Sequence, residues 1–333
     1  MAKPVSILAM MIAAIAAIFI GSGVAQASTG WQTPDPNATT QDTPAQAWWR
    51  GHFVVVNRGG SDNALWFNHD GGPFTRIGGT TYAAPAITEF NNTLYLFQTG
   101  QDGNLYYQTM GLDGNDQPTW AWSSAHAIPG PAGTGVRVTL HPAIASSGNQ
   151  LHIIAVGNNE HIYHSALYTN NAWSGSWTEP PGGGRTESGP TATTTPDGYL
   201  MVGHRGTNNL MYTQRGVIST GQWDGSWTQL PHGHTDHGFA LTYDGADGRI
   251  VEAWAQDDDG DAIMTSESST RGVDQTNAIH AADNVPSPSG PALNYEGGNG
   301  VGLAIRGSNF TYAAGNLNMY QNHIYINNAY YGR

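Results

Sequence analysis

The sequence predicts an all-β protein, a β-propeller assembled from repeated four-stranded blades. The pentapeptide Trp173-Ser-Gly-Ser-Trp177 recurs fifty residues later as Trp223-Asp-Gly-Ser-Trp227, and the residues around both copies align. Glycine, tyrosine and tryptophan are abundant, at 44, 15 and 11 of 333 residues, which is typical of turn-rich β structure. No window shows an apolar period of about 3.6 residues, so a helical or leucine-rich solenoid is not predicted.

The first 27 residues are predicted to be a secretory signal peptide. Lys3 precedes an apolar run from Val5 to Ile20, and small residues then lead to Ala25-Gln-Ala27. The run is shorter than the roughly 20 residues that span a bilayer, which favours a cleaved leader over a membrane anchor. We therefore expect cleavage near Ala27, an extracellular location and no membrane insertion. Residues 28–43 are predicted to form an N-terminal strand and a linker, and residues 44–333 the propeller.

Six similar units divide the predicted propeller. Each opens with a strand of small residues, and these strands begin near residues 44, 85, 142, 190, 239 and 291. An apolar run, a tight polar turn and a third strand with an aromatic side chain come next, and the fourth element carries tryptophans. We expect six blades, with seven as the alternative. We also expect the N-terminal strand to close the ring, because Gly30-Trp31-Gln-Thr-Pro is similar to Ser176-Trp177-Thr-Glu-Pro.

Composition and charge exclude several classes of partner. The formal net charge is −13, from 12 Lys and Arg against 25 Asp and Glu, which argues against binding to nucleic acids or anionic membranes. Cysteine is absent, so disulfides and thiol chemistry are excluded and packing alone must stabilise the fold. The sequence leaves the oligomeric state open, a homo-oligomer included.

The order of the motifs within each unit resembles a known family. A Pro-Ala strand, an apolar strand, an Arg-Gly pair, a turn of the type Asp102-Gly-Asn-Leu-Tyr106, a tryptophan pair and a Pro/Gly turn follow one another. This order resembles the PLL-type bacterial β-propeller lectins and their secreted actinobacterial relatives, over nearly the whole mature chain. The resemblance implies a non-catalytic carbohydrate-binding protein with several weak sites at blade junctions. Glycans of the fucose or galactose type, or O-methylated glycans, are the expected partners.

The candidate sugar-binding residues are aromatic side chains and arginines at repeated positions. Indole faces stack on the apolar side of a pyranose, and an arginine fork holds vicinal hydroxyls or a sugar carboxylate. The candidates are Trp120, Trp122, Trp173, Trp223, Trp66, Tyr106, Tyr163, Tyr212, Arg58, Arg205 and Arg306. In each tryptophan pair one indole, Trp177 or Trp227, is expected to seal a neighbouring blade while the other lines a groove. For the arginines, ion pairs between adjacent blades are the favoured alternative.

Metal binding and catalysis have weaker support in the sequence, and no cofactor is predicted. His232, His234, Asp236 and His237 are weak metal candidates, because they occupy a linking loop that reads as plain polar sequence in the preceding unit. The run Asp257 to Asp261 lacks the glycine position and the bidentate glutamate of a calcium loop. No Gly-x-Ser-x-Gly elbow is present. A propeller-fold glycoside hydrolase or lyase and a protein-interaction scaffold remain the alternatives to a lectin.

Overall fold

The computed structural model describes residues 33–128, 140–270, 275–276, 279–280, 285–295, 301–306, 310–312, 317–319 and 324–327. The predicted signal peptide and the Gly30-Trp31 strand lie outside these residues. Within the described part of the chain, no helix is long and apolar enough to cross a membrane. The one helical element there is a single 3-10 turn, Asp257–Asp259.

Antiparallel strands in chain order build five blades. The strands of blade 1 are β1 (Ala45–Trp49), β2 (His52–Arg58), β3 (Ala64–His69) and β4 (Thr75–Thr80). Those of blade 2 are β5 (Ala86–Phe90), β6 (Thr93–Thr99), β7 (Leu105–Met110) and β8 (His126–Ile128). Blade 3 contains β9 (Ala143–Ser147), β10 (Gln150–Val156) and β11 (Ile162–Tyr168).

Blades 4 and 5 follow the same meander. Blade 4 contains β12 (Thr191–Thr194), β13 (Tyr199–Arg205), β14 (Leu210–Val217), β15 (Gln222–Trp223) and β16 (Thr228–His234). Blade 5 contains β17 (Phe239–Asp244), β18 (Arg249–Gln256), β19 (Ala262–Ser269) and β20 (Ile279–His280). A C-terminal sheet is formed by β21 (Ala292–Tyr295), β22 (Val301–Arg306) and β25 (Ile324–Asn327). The strands β23 (Phe310–Tyr312) and β24 (Leu317–Met319) form a separate ribbon.

The all-β propeller is confirmed, but the prediction of six or seven four-stranded blades is wrong. The described residues form five blades of three to five strands. After blade 5, β23 and β24 form a ribbon that pairs only with itself among the described residues, so the sixth unit does not repeat the four-stranded meander there. In blade 3, Trp173 and Thr178 each make an isolated bridge to β11, and no strand forms between them. Repeats in sequence therefore overcount complete blades, because the fourth element depends on its neighbours for hydrogen bonds.

The first strands surround a central axis. β1, β5, β9, β12 and β17 contact one another in this order, and β21 lies between β17 and β1. Their opening residues line an axial cavity of about 150 Å³. Small residues such as Ala45, Ala86 and Ala143 let these strands approach one another, and Phe239 of β17 is a bulky exception that also lines the cavity.

The hydrophobic core is divided into clusters that each join two neighbouring blades. Trp49 and Val54 of blade 1, for example, pack with Leu94 and Leu96 of blade 2, and all four are fully buried. Phe97 of blade 2 packs with Leu151 of blade 3 in the next cluster. Burial of each such side chain contributes about 1.5–3 kcal/mol, so packing between neighbouring blades helps to hold the ring together.

Candidate functional site

The four predicted aromatic residues of the third strands close their own hairpins. Each forms a hydrogen bond with an Asp or Asn four residues earlier in the turn. The bonds are Trp66 Nε1 to Asp62 Oδ1 (3.4 Å), Tyr106 OH to Asp102 Oδ2 (2.6 Å), Asn159 Nδ2 to Tyr163 OH (2.9 Å) and Asn208 Nδ2 to Tyr212 OH (2.9 Å). The hydroxyl of Tyr106 lowers the pKa of Asp102 by donating to the carboxylate. The polar ends of these rings thus hold the turns, and sugar contact by them stays a prediction.

The three Arg-Gly arginines contact the segments that link successive units. Arg58 Nη1 donates to Asp42 Oδ2 at 2.7 Å and to the carbonyl of Tyr82 at 2.5 Å. The side chains of Arg58 and Arg205 are only 14% and 8% exposed. Arg58 and Arg205 each face a carboxylate of a linking segment, and sugar binding by the three guanidinium groups stays a prediction.

The other two arginines make contacts of the same kind. Arg205 Nη1 donates to Asn209 Oδ1 at 2.6 Å and lies 3.7 Å from Glu187. Arg306 Nη1 donates to the carbonyl of Gln41 at 2.7 Å. All three guanidinium groups therefore tie the linking segments to the second strands.

The pairs Trp173 with Trp177 and Trp223 with Trp227 lie at blade junctions. All four indoles are half-buried against the inter-blade core clusters. Trp173 Nε1 donates to Ser165 Oγ at 2.6 Å. Trp227 lies so close to Gly184 that a Cβ there would be 2.5 Å from the indole. The two indoles of each pair are both half-buried, so burial does not distinguish an indole that seals a blade from one that lines a groove.

Trp120 and Trp122 line the groove between blades 1 and 2, which we call the Trp120–Trp122 groove. Its volume is about 540 Å³. Its lining residues are Phe67, Thr75, Arg76, Ile77, Gly78, Gly79, Gln108, Trp120, Trp122, Ser123, Ser124 and Ala125. β4 forms one wall of this groove, and the irregular segment that precedes β8 forms the other. Its lining combines two indoles with guanidinium, amide and hydroxyl groups.

Trp120 has an unusual backbone conformation. Its φ of 52° falls in the left-handed region, which is a genuine outlier for a bulky side chain. The indole stacks on His69 of blade 1 with centroids 3.7 Å apart and planes at 10°, and His52 meets it edge-on at 5.1 Å. Asp70 accepts a hydrogen bond from His52 Nδ1 at 2.7 Å and another from His69 Nδ1 at 3.3 Å. Ring contacts from blade 1 therefore hold Trp120 while its backbone has a conformation that an isolated peptide would avoid.

The rest of the groove offers polar groups beside the indoles. Arg76 is 60% exposed, and its nearest carboxylate, on Asp62, is 3.9 Å away. Trp122 meets Phe67 edge-on, and its buried Nε1 has no hydrogen-bond partner among the described residues. The Gln108 amide donates to the carbonyl of Gly78 at 2.9 Å and so fixes this wall. An apolar aromatic wall beside a largely free guanidinium suits a ligand with one apolar face and several hydroxyls.

Two further grooves lie elsewhere on the described structure. One, of about 210 Å³, lies between residues 35–39 and the β2–β3 hairpin, where Asn57, Asp62 and Trp66 line it. The other, of about 610 Å³, lies between β16 and the β18–β19 hairpin, and its lining includes His232, His234 and Trp254. These grooves place Trp66 and two of the histidine candidates on accessible surface.

The axial cavity and the buried carboxyl group of Glu252 are two separate features of the described structure. No Asp or Glu is among the residues that line the axial cavity. His141 stands at this cavity, and burial lowers its pKa; Gly189 must be glycine because a Cβ would meet the imidazole at 1.8 Å. Glu252, 0% exposed, accepts hydrogen bonds from Ser266 and Ser268, and burial raises its pKa to about 7. The carboxyl group of Glu252 is therefore enclosed.

The four metal candidates are divided by the structure. Asp236 and His237 meet Asp261, and their ligand atoms lie within 4.8 Å of one another. His234 Nδ1 pairs instead with Asp257 Oδ1 at 2.5 Å, and His232 lines the groove beside β16. Asp261 lies in the turn between β18 and β19, and only the tertiary fold brings it close to His237.

Comparisons with known proteins agree on the fold. No protein-family model and no curated protein matches the chain. Among solved structures, the Aleuria aurantia lectin in complex with alpha-methyl-L-fucoside superposes with a TM-score of 0.58 at 13% identity, covering 86% of this chain and 98% of the lectin. The BP39L lectin of Burkholderia pseudomallei gives 0.54 at 13%, covering 81% and 94%. The Penicillium chrysogenum alpha-L-arabinanase complexed with arabinobiose gives 0.55 at 13%, covering 89% and 96%.

Proposed function

We propose that this chain is a secreted, non-catalytic carbohydrate-binding protein that holds glycans in the Trp120–Trp122 groove. The observation that carries the proposal is the conformation of Trp120. The backbone of Trp120 is strained, with a φ of 52°, and its indole is held by ring contacts with His69 and His52 at the blade junction. Strain of this kind is concentrated at ligand sites, and here it fixes an aromatic wall before a ligand arrives.

The chemistry of the groove matches a sugar. A pyranose has an apolar face of C–H groups, which packs on the indoles, and a rim of hydroxyls, which the Arg76 guanidinium can bind. Fucose- or galactose-type and O-methylated glycans are the proposed ligands, since a methyl group adds apolar area against Trp120 or Trp122. The fucoside bound in the Aleuria aurantia lectin and the arabinobiose bound in the arabinanase support sugars as a ligand class for this architecture.

Several weak sites are proposed to act together. The grooves beside Trp66 and beside His232 lie apart from the Trp120–Trp122 groove and have their own aromatic and polar linings. A shallow site for a small polar ligand typically binds with millimolar to micromolar affinity, and linked sites gain avidity without new contacts. Binding to a multivalent glycan surface is therefore expected to exceed binding to the free monosaccharide.

A non-catalytic role is supported by the placement of the carboxyl groups. Glycoside hydrolysis needs two carboxyl groups about 5–10 Å apart that face the same substrate. Glu252 is fully buried, and the residues that line the Trp120–Trp122 groove include no Asp or Glu. Release of reducing sugar from polysaccharides by the purified protein would instead favour the hydrolase alternative.

The test is calorimetric titration of the mature chain with methyl fucoside, methyl galactoside and O-methylated glycosides, after a glycan array has ranked them. Trp120→Asn removes the indole but keeps a residue that tolerates the left-handed region. Affinity should fall at least about fivefold, as expected for the loss of an aromatic contact. The control is Tyr168→Ala, which removes an exposed aromatic ring outside the groove lining and should bind as the wild type does. Absence of any binding by the wild type at high protein density would refute the proposal.

A further inference from the structure

Three carboxylates beside the second and third strands of other blades have arginine partners. Arg58 pairs with Asp42 at 2.7 Å, and Arg205 lies 3.7 Å from Glu187. In blade 3 Arg185 pairs with Glu160 at 2.7 Å. In each of these three pairs one guanidinium group therefore faces one carboxylate.

Blade 5 has no arginine at this place. Counted from the pairing of the first and second strands, Ala255 occupies the position of Arg58 and Arg205. Asp236, Asp257 and Asp261 nevertheless converge here, and their ion-pair partners among the described residues are the histidines His234 and His237. Three carboxylates thus face two imidazoles, which leaves a deficit of positive charge that a bound cation would remove.

The distances fit a small divalent cation. His237 Nε2 lies 3.2 Å from Asp236 Oδ1 and 3.7 Å from Asp261 Oδ1. Ligand atoms around a tetrahedral metal with bonds of about 2.0–2.1 Å are about 3.3 Å apart, so small side-chain rotations bring all three into range. All three side chains are at least partly exposed, which allows an ion to enter and water to complete its coordination.

The backbone on both sides of the cluster is held in place. Asp261 has a φ of 63°, its N–H donates to the carbonyl of Gln256 at 3.0 Å, and its carbonyl accepts from the N–H of Ser287 at 3.0 Å. The N–H of His237 donates to Thr235 Oγ1 at 3.1 Å. The ligands therefore need no backbone rearrangement to converge on a metal, which reduces the cost of binding.

We propose that Asp236, His237 and Asp261 bind a divalent first-row transition metal ion, of which Zn²⁺ and Mn²⁺ are examples. One imidazole and two carboxylates suit these ions, whereas Ca²⁺ takes six to eight oxygen ligands. The ion would join the β18–β19 hairpin, which carries Asp261, to the segment between blades 4 and 5, which carries Asp236 and His237. The site is separate from the Trp120–Trp122 groove and does not depend on glycan binding.

The other blades supply conservative substitutions for the test. The position of Asp261 holds Asn209 in blade 4, also with positive φ, and the position of His237 holds Ser188. Asp261→Asn and His237→Ser are therefore expected to fold. Ala255→Arg introduces the guanidinium group that blades 1 and 4 use at this position.

The experiment is calorimetric titration of the metal-free mature chain with Zn²⁺ alone, and separately thermal unfolding with and without Zn²⁺. The wild type should bind one ion that depends on this cluster, and its melting temperature should rise with Zn²⁺. Asp261→Asn and His237→Ser should each weaken this binding at least about tenfold, the usual scale for a lost ligand or supporting contact. Ala255→Arg should weaken it in the same direction, and Ca²⁺ should not compete.

Asp224→Asn is the matched control, because Asp224 is an exposed acid that pairs with Arg215 in blade 4. It should bind Zn²⁺ as the wild type does. Equal Zn²⁺ binding by the wild type and Asp261→Asn would assign the ion to other histidines and overturn the proposal. The absence of saturable binding by the wild type would overturn it as well, and would indicate that His237 forms ion pairs only. If Ala255→Arg fails to fold, Asp261→Asn still decides the question.

Discussion

The indole of Trp120 and the imidazole of His69 lie face to face, 3.7 Å apart and within 10° of parallel. Trp120 belongs to the last segment of blade 2, and His69 ends the third strand of blade 1. The wall of the proposed binding groove therefore exists only where two blades meet. Loss of the packing between the blades would also remove the groove.

Arg58 and Arg76 are expected to separate stability from binding. Arg58 is largely buried against Asp42, so Arg58→Ala leaves a partly buried carboxylate without its partner and should cost roughly 3 kcal/mol of unfolding free energy. Arg76 is exposed, and Arg76→Ala should change stability by less than about 1 kcal/mol. Glycan affinity should show the reverse order, with the larger loss for Arg76→Ala. Urea denaturation and calorimetric titration of both variants test this, and a binding loss confined to Arg58→Ala would contradict it.

Both members of a tryptophan pair are expected to be structural. Trp173 and Trp177 pack on the same core cluster between blades 2 and 3 and are buried to a similar degree. Trp173→Ala and Trp177→Ala should each lower the unfolding free energy by about 2–3 kcal/mol, less than the cost for a fully buried indole. Chemical denaturation measures both. The sequence-based division of roles would be supported instead if Trp173→Ala unfolded like the wild type and bound sugar less tightly.

Glu252 should make the protein less stable as the pH rises. Burial raises its pKa to about 7, above the ordinary value of 4.5, so the folded state holds an extra proton between these values. The unfolding free energy should therefore fall between pH 4.5 and pH 7, by roughly 3 kcal/mol at 1.4 kcal/mol per unit, and level off above pH 7. Glu252→Gln keeps the shape and removes the titration. The unfolding free energies of the wild type and Glu252→Gln are measured across this pH range, and their difference isolates this group. A difference that does not change with pH would contradict the prediction. The control is Glu89→Gln, at a half-buried position in β5.

His204 should make the protein less stable as the pH falls. It is packed against Tyr212 and Trp227, both ring nitrogens lack partners among the described residues, and burial lowers its pKa to about 4. The unfolded state therefore takes up a proton near pH 6.5 that the folded state refuses, and stability declines from pH 6.5 towards pH 4. His204→Phe should raise the unfolding free energy at pH 5, relative to pH 7.5, by roughly 2 kcal/mol. Denaturation at both pH values measures it, and the exposed His126→Phe, which should show no such gain, is the control.

The local elements follow from the sequence more reliably than the junctions do. Asp102-Gly103 predicts a tight turn because glycine accepts positive φ, and Gly103 has a φ of 78°. The apolar run Leu94 to Phe97 predicts a buried strand, and β6 is buried along nearly its whole length. The identity of the partner is not local, however. Nothing in the neighbourhood of Asp261 or Trp120 indicates that His237 or His69 lies against it.

The sequence by itself determined an all-β propeller, its repeating strands and its turn chemistry, because alternation, β-branched runs and glycine turns act over a few residues. Only the tertiary structure decided how many units complete a blade. Outer strands need hydrogen bonds from a neighbouring strand, and β23 and β24 form theirs with each other. It also decided that Arg58 ties a linking segment and that Trp120 lines a groove. These outcomes depend on contacts between residues from different blades or linking segments, and such contacts leave no periodic trace in the chain.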